Sequence, residues 1–158
     1  MDKFMQMAIE EAYKGIKNGE GGPFGSVIVK NGEVIGRGHN TVLKNQDPTC
    51  HGEIEAIRDA CKNIKSFDLK GSTLYTTGEP CPMCLGAILW ANIDNVYYGC
   101  NIIDTEEIGF RDSKFYKLTD EEKKKFIKEL DRNECKVLYE NYMNIENKGN
   151  YWVLYIKK

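Results

Sequence analysis

The sequence predicts an α/β fold in which a mixed sheet is flanked by helices. The predicted elements follow one another in the order helix, hairpin, helix, strand, helix, strand, which is typical of such layered folds. The chain has 158 residues, of which 41% are hydrophobic and 29% are charged, so it is long and apolar enough to bury a core of its own. No internal repeat and no low-complexity linker divides it. We therefore expect a single domain over residues 1–158.

The chain begins with a helix and a hairpin. Over residues 3–18 apolar side chains recur with helical spacing, and Gly19 ends that pattern. Residues 25–30 and 34–37 are short apolar runs joined through an Asn-Gly pair. This pair is the strongest short signal for a two-residue hairpin turn, so the two runs are predicted to be antiparallel partners.

The middle of the chain alternates between helices and strands. Residues 40–50 are polar and predict a loop, after which residues 51–64 return to helical spacing. The composition of residues 72–77 and of residues 95–99 predicts strands. Between them, residues 80–92 predict a helix with a proline in its first turn.

Two further elements are predicted in the last third of the chain. A Thr-x-x-Glu capping box begins a charged helix over residues 119–130. Residues 150–156 are aromatic and strand-like in composition.

The charge balance limits the class of partner. With 22 Lys and Arg against 24 Asp and Glu, the net charge is −2 and the pI is about 5.8. Broad binding to nucleic acid depends on clustered basic surface, so a nucleic-acid partner is not expected. The N-terminus lacks the pattern of a signal peptide, and the longest apolar run, residues 85–91, is too short for a bilayer. We expect a cytoplasmic protein without a membrane partner.

The sequence holds six cysteines but only two histidines. In a reducing compartment a close cysteine pair is more often metal-binding or redox-active than a structural disulfide. Cys50, Cys61, Cys100 and Cys135 have no such partner in sequence and are predicted to be buried small hydrophobes. His39 is expected to be structural.

Two short motifs carry chemistry. His51 precedes Glu53 by two residues, and Cys81 and Cys84 lie in a Pro-Cys-Pro-Met-Cys segment. One histidine and two thiolates supply three ligands of a tetrahedral zinc ion and leave the fourth position open, as in catalytic zinc sites. A carboxylate beside that site can transfer protons between a metal-activated water and a leaving group. The pattern predicts a hydrolytic zinc centre with Glu53 as its general acid and base.

Each motif also has an ordinary structural interpretation. A lone Cys-x-x-Cys is often a thiol redox pair, and His51 or Glu53 alone would most often be a helix-start residue or a solvated charge. Short motifs have a high false-positive rate, and their structural context decides between the interpretations. Here both motifs fall at predicted helix starts after a strand or loop, which favours the metal site.

The two motifs together resemble the His-x-Glu…Pro-Cys-x-x-Cys signature of the zinc deaminases. Over about residues 1–115 the chain is similar to the cytidine deaminase-like superfamily, and within it to the bacterial guanine deaminases. Where the family usually has alanine between the histidine and the glutamate, this chain has Gly52. Further blocks that resemble those deaminases are residues 21–30, Asn40, residues 47–49, residues 79–87 and residues 108–112.

This resemblance implies a three-layer α/β/α sandwich around a five-stranded mixed sheet. It implies a homodimer in which the C-terminal segments, about residues 140–158, exchange and cover the partner's active site. It also implies one zinc ion in each subunit.

The resemblance further assigns substrate-binding residues. Asn40 and Asp112 would hydrogen-bond a purine, Phe24 would pack on its ring, Trp90 would form a pocket wall, and Tyr151 would reach into the other subunit's site. Without the resemblance, Phe24 and Trp90 would be taken as core aromatics and Asn40 as a turn residue. Asp112 is the most informative, because a carboxylate accepts from the N–H groups of a guanine edge and repels a phosphate.

The reaction expected from these residues is the hydrolysis of guanine to xanthine and ammonia, a step of purine catabolism. Zinc-bound hydroxide attacks C2, and Glu53 delivers the proton to the departing amine. The alternatives within the enzymes are a tRNA adenosine deaminase and a cytosine or nucleoside deaminase. The alternatives outside hydrolysis are a non-catalytic, zinc-stabilised interaction module and a thiol redox protein.

Overall fold

The computed structural model of the chain describes residues 1–147. These residues fall into two units, Met1–Lys117 and a second one that begins at Leu118. The strand predicted at residues 150–156, and Tyr151 with it, lie outside the described residues. The prediction of one domain over residues 1–158 stays a prediction. No helix in residues 1–147 is both long and apolar enough to cross a bilayer.

The first unit is built on a mixed sheet of four strands in the order β2-β1-β3-β4. β1 (Gly25–Lys30) is antiparallel both to β2 (Glu33–His39) and to β3 (Ser72–Gly78). β3 is parallel to β4 (Asn95–Cys100). All four predicted strands of this region are confirmed, and so is the hairpin. Asn31 and Gly32 have φ values of 52° and 79°, the left-handed pair that a type I′ turn requires.

The prediction of a five-stranded sheet is wrong for the described residues, which hold four strands. The cause is local. Directly after β4, Asn101 and Asp104 form a capping box that begins α5 (Ile102–Glu107), and α6 (Asp112–Tyr116) follows soon afterwards. The backbone groups that a fifth strand would use in ladder hydrogen bonds are thereby committed to helices.

Helices cover both faces of the sheet, which confirms the three-layer α/β/α architecture. On one face α1 (Lys3–Lys17) packs through Ala8 against Val27 and Val29. Ile28 points to the other face, since alternate side chains of a strand face opposite sides. There α3 (Gly52–Ile64) and α4 (Pro82–Trp90) enclose the larger core. Its buried members are Ile28, Ala56, Ala60, Leu69, Leu74, Ile88, Ala91 and Ile93.

Several helices begin and end where the sequence predicts. Asp2 caps α1 by accepting hydrogen bonds from the amides of Phe4 and Met5. The loop predicted over residues 40–50 contains one short helix, α2 (Val42–Asn45), which is too short to show the helical spacing of apolar residues.

The second unit contains two helices among its described residues. The Thr119 capping box is confirmed, and it begins α7 (Asp120–Phe126). α7 ends four residues before the predicted end at residue 130. α8 (Arg132–Met143) was not predicted, because its surface-exposed sequence has no clear apolar stripe.

The prediction for the four remaining cysteines is correct only in part. Cys50 is buried, and Cys61 is partly buried. Cys100 and Cys135 are exposed, so for them the prediction is wrong. Cys100 ends the edge strand β4, where nothing in the first unit covers it.

Two glycines of β2 allow α3 to lie directly on the sheet. A Cβ atom at Gly38 would come within 2.4 Å of the Ala56 nitrogen, and one at Gly36 within 2.5 Å of the Ala56 carbonyl oxygen. Real Cβ atoms do not approach backbone so closely, so α3 would have to move away. Because α3 begins directly after His51, this contact also fixes the position of His51 relative to the sheet.

We predict that Gly38→Ala lowers the free energy of unfolding by about 3 kcal/mol, since the added methyl group meets backbone that cannot rotate away. Urea unfolding followed by circular dichroism measures this change. The matched control is Arg37→Ala, which alters an exposed neighbour on the same strand and should change stability by less than about 0.5 kcal/mol. Equal stability of the two variants would contradict the close packing of α3 on β2.

Candidate active site

Three potential metal ligands meet at the beginnings of two helices. His51 is the N-cap residue of α3, and Cys81 is the N-cap residue of α4. Cys84 lies one turn further, three residues along the same helix start, and Pro82 occupies the first helical position. The tight turn at Pro82 brings both sulfurs to the same side, because residues three apart face each other at a helix start.

The distances within this group match a tetrahedral zinc site. The Nδ1 atom of His51 lies 3.6 Å from the Cys81 sulfur and 3.5 Å from the Cys84 sulfur. Ligands at the usual Zn–S and Zn–N distances of about 2.3 and 2.05 Å are about 3.6 Å apart in a tetrahedron. All three ligand atoms lie within 4.8 Å of one another. The residues therefore fit a zinc ion without rearrangement.

The two thiols differ in their tendency to ionise. The thiol of Cys84 donates to the Cys81 sulfur, and this hydrogen bond, with smaller contributions from the His51 ring and the Cys84 backbone amide, outweighs burial and lowers the pKa of Cys81 to about 4. The same interaction, together with burial, raises the pKa of Cys84. The hydrogen bond with Cys81 raises the pKa of His51. Cys81 thus favours the thiolate form, and the Cys84 thiol donates its proton toward it. A bound metal ion can replace this proton and bind both sulfurs.

Glu53 lies directly beside this group on the first turn of α3. Its side chain is 6% exposed, and its Oε2 atom lies 3.5 Å from the Cys84 sulfur. Burial raises the pKa of Glu53 above its ordinary value. A carboxyl group with a raised pKa can both accept and release a proton near neutral pH.

The start of α3, the helix that carries Glu53, lies close to Phe24, the residue before β1. A Cβ atom at Gly52 would come 3.0 Å from the Phe24 carbonyl oxygen. Gly52 thus sits at a tight contact between the start of α3 and the residue before β1.

An open cavity leads to the metal ligands. His51 and Cys81 lie in its lining, and Asn40 and Asp112 line the same cavity. The Oδ1 atom of Asn40 accepts a hydrogen bond from the Val42 amide at 3.1 Å, which leaves its amide nitrogen as the donor for a ligand. Burial, and secondarily the Cys81 sulfur, raise the pKa of Asp112. The structure therefore brings the two predicted polar base contacts and the metal ligands to one cavity.

The three predicted aromatic contacts have different outcomes. Phe24 does not line the cavity but supports its wall, since its ring packs edge-on against Phe110 with centroids 4.8 Å apart. Trp90 is 62% exposed at the far end of α4 and does not line the cavity. Trp90 is the ninth and last residue of α4, at the end opposite the candidate ligands, and its role as a pocket wall stays a prediction. Tyr151 lies outside the described residues.

Sequence reasoning missed the aromatic residues that do line the cavity, Phe110 and Phe115. Phe110 follows Gly109, whose φ of 97° turns the chain back toward the site. Residues 108–112 include both Gly109 and Phe110, but the resemblance assigns a substrate contact in this block to Asp112 alone. Tyr116 was also missed, and its hydroxyl donates to the Pro80 carbonyl oxygen at 2.5 Å. That hydrogen bond anchors the segment directly before Cys81.

Comparisons with known proteins agree with this geometry. The profile of the cytidine and deoxycytidylate deaminase zinc-binding region matches residues 1–100. The chain is 48% identical over 119 residues to the guanine deaminase of Bacillus subtilis (strain 168), a match covering 75% of this chain and 76% of the relative. It is 37% identical over 139 residues to the tRNA-specific adenosine deaminase of Buchnera aphidicola subsp. Schizaphis graminum, covering 88% and 91% of the two chains.

A solved structure is similar over nearly the whole chain. The crystal structure of guanine deaminase from Bacillus subtilis superposes with a TM-score of 0.88 at 40% identity. The superposition covers 96% of this chain and 99% of the crystallised one. The likeness therefore extends beyond the residues that carry the zinc-binding motifs.

Proposed function

Because the chain belongs to the cytidine and deoxycytidylate deaminase zinc-binding family and is a zinc-dependent hydrolytic deaminase, we propose that it converts guanine and water to xanthine and ammonia. One observation carries the choice of substrate. A single cavity is lined by two of the candidate metal ligands, His51 and Cys81, together with a carboxylate, Asp112, and an amide donor, Asn40. A guanine edge offers N–H groups to the carboxylate and an acceptor atom to the amide.

The chemistry divides among the residues in a simple way. His51, Cys81 and Cys84 would hold zinc, which supplies the Lewis acidity that lowers the pKa of a coordinated water to roughly 7. Glu53 takes up the proton of the attacking water and delivers it to the departing amine. Asn40 and Asp112 hold the base, while Phe110 and Phe115 reduce the access of bulk water. The nitrogen leaves as ammonia, and the water oxygen becomes the new carbonyl oxygen at C2.

A tRNA adenosine deaminase is the main alternative, and two features favour guanine. The identity to the Bacillus guanine deaminase is 48%, against 37% to the Buchnera tRNA-specific enzyme. The net charge of −2 also offers little attraction for an RNA stem, whose binding is dominated by phosphate contacts.

We also propose a homodimer with one zinc ion in each subunit, in which the C-terminal segments of about residues 140–158 exchange. Large apolar side chains of α4 and β4 support an association surface on the first unit, since Leu89 and Tyr97 are 67% and 57% exposed. One His/Cys/Cys group is present among residues 1–147, which supports one ion per chain. A cytoplasmic location and a role in purine catabolism stay predictions.

The substrate assignment is tested at Asp112. We predict that Asp112→Asn lowers kcat/KM for guanine by about 100-fold, because hydrogen bonds to a charged acceptor are the stronger ones. Zinc content should not change. The matched control is Lys114→Ala, two residues along α6, which removes an exposed charge and should leave kcat/KM within about twofold. Full activity of Asp112→Asn on guanine would remove the substrate proposal's main support.

A further inference from the structure

A partly buried cluster of ionisable side chains surrounds His39, the last residue of β2. The Nδ1 atom of His39 lies 3.2 Å from Oε2 of Glu11 on α1, and its Nε2 atom lies 2.5 Å from Oε2 of Glu20. The ring packs flat against α1, since a Cβ atom at Gly15 would come 2.7 Å from its Cδ2 atom. The side chain of His39 is 18% exposed, and those of Glu11 and Glu20 are 8% and 14% exposed. This cluster could not be predicted from the sequence, because its members come from three separate segments.

Both carboxylates in the cluster are held in the charged form. Burial alone would raise the pKa of Glu11, but the hydrogen bonds from Lys14 and His39 outweigh it and lower the pKa. The hydrogen bond from His39, and then the one from Lys44, lower the pKa of Glu20. An ionised carboxylate only accepts hydrogen bonds. A ring that faces two of them satisfies both only as an imidazolium with a proton on each nitrogen.

The other charges near His39 are already matched. Lys14 binds Glu11 at 2.7 Å, and Lys44 binds Glu20 at 3.0 Å. On the α3 side Glu55 and Arg58 pair with each other at 2.6 Å. The exposed residues Arg37 and Lys62 and the partly buried Asp59 line the same groove as His39. His39 is thus the only side chain in the described part of the chain whose hydrogen bonds reach both Glu11 and Glu20.

The cluster is connected to the wall of the cavity that holds Asn40. The carbonyl oxygen of Glu20 accepts hydrogen bonds from the amides of Leu43 and Lys44 at 3.0 and 3.1 Å, so the Glu20 backbone holds α2. Asn40 follows His39 directly, and the backbone N–H of Asn40 donates to the Phe24 carbonyl oxygen at 2.9 Å. Gly21 follows Glu20 and lies so close to Asn40 that a Cβ atom would come 2.1 Å from its Oδ1.

We propose that His39 is a positioning residue for the base: its ionic contacts with Glu11 and Glu20 fix the segments on either side of Asn40 and so orient the Asn40 amide in the cavity. This inference rests on the proposed role of Asn40 in base binding. His39 itself touches neither the base nor the metal ligands. Its effect is on the affinity for the base rather than on the proton transfers at Glu53.

The first test is kinetic. His39→Gln keeps a polar side chain but cannot carry the charge, and we expect the KM for the base to rise about tenfold with kcat within about threefold, as for a loss of uniform binding. Zinc content should match the unchanged protein. Glu20→Gln removes the same ion pair from the other partner, on a loop, and should raise KM similarly. The effect of the double variant on KM should be smaller than the sum of the two single effects, because both changes break the same contact between His39 and Glu20.

The matched control is Glu10→Gln, which removes an exposed carboxylate of α1 next to Glu11 and should leave KM unchanged. If His39→Gln and Glu20→Gln lower the melting temperature but leave KM unchanged, the cluster is only structural and the proposal is overturned. The same holds if the two single effects on KM add in the double variant.

The second test does not depend on the substrate. The chain has two histidines, so ring nitrogen NMR signals that disappear in His39→Gln belong to His39. We expect these ring signals to shift in Glu20→Gln, because that change removes one of the two hydrogen-bond partners of the ring, and ring signals that are the same in Glu20→Gln as in the unchanged protein would overturn the proposal. If the unchanged protein does not deaminate guanine, the proposed function fails, and the KM comparison is then made with the base that it does deaminate.

Discussion

Glu53→Gln is expected to retain zinc and to lose deaminase activity by about 10³-fold, within the range that a general acid and base contributes. Glutamine has nearly the same shape and can fill the buried position, but its amide cannot accept the proton of the attacking water or deliver it to the leaving amine. The raised pKa of Glu53, caused by its burial, is what suits it to both transfers. Ammonia release gives the activity, and elemental analysis gives the zinc content.

Glu55→Gln is the matched control for this variant. Glu55 lies two residues further along α3 and pairs with Arg58 away from the metal ligands, so the variant should keep activity within about twofold. If the Glu53→Gln variant retained a tenth or more of the activity, Glu53 would be excluded as the proton-transfer residue. Loss of zinc in Glu53→Gln would instead assign it a role in building the metal site.

Cys84→Ser is expected to lose both zinc and activity. Cys84 supplies one of three ligand atoms that already stand at tetrahedral spacing, and serine is a poor ligand for zinc at such a site. Loss of an outer-shell partner alone weakens metal binding by about 10- to 100-fold, so loss of a direct ligand should exceed about 100-fold. Zinc content after dialysis and ammonia release measure the two effects.

The control for the cysteine variant is Cys100→Ser, which changes an exposed thiol and should keep zinc and activity. Complete removal of zinc from the unchanged protein by a chelator should abolish ammonia release, and added zinc should restore it. Activity that persists without zinc but requires Cys81 and Cys84 would instead identify a thiol redox protein.

The candidate metal-binding group could be predicted from the sequence because its geometry is mainly local. Cys81 and Cys84 are three residues apart around a proline, and this spacing at a helix start brings both sulfurs to one side. Glu53 is tied to His51 by two residues of the same helix start. The starts of α3 and α4 are far apart in sequence but lie side by side in the fold. Their proximity could be predicted only from the His-x-Glu and Cys-x-x-Cys motifs taken together.

The cavity wall was less predictable, because packing between distant segments determines it. Trp90 shares α4 with the ligands but lies at its opposite end, whereas Phe110 reaches the cavity through the turn at Gly109. The cluster at His39 also depends on segments that are remote in sequence. For the fold, alternating strands and strong caps were predicted correctly, while α2, α5 and α6 are too short for a periodic signal.

The most direct measurement is ammonia release by the zinc-loaded protein with guanine, guanosine, cytosine, adenine and a tRNA anticodon stem-loop, compared by kcat/KM. The account predicts that guanine is the preferred substrate, that xanthine forms in equal amount to ammonia, and that the stem-loop is not deaminated. Deamination of the stem-loop or of cytosine, with guanine left unchanged, would contradict it.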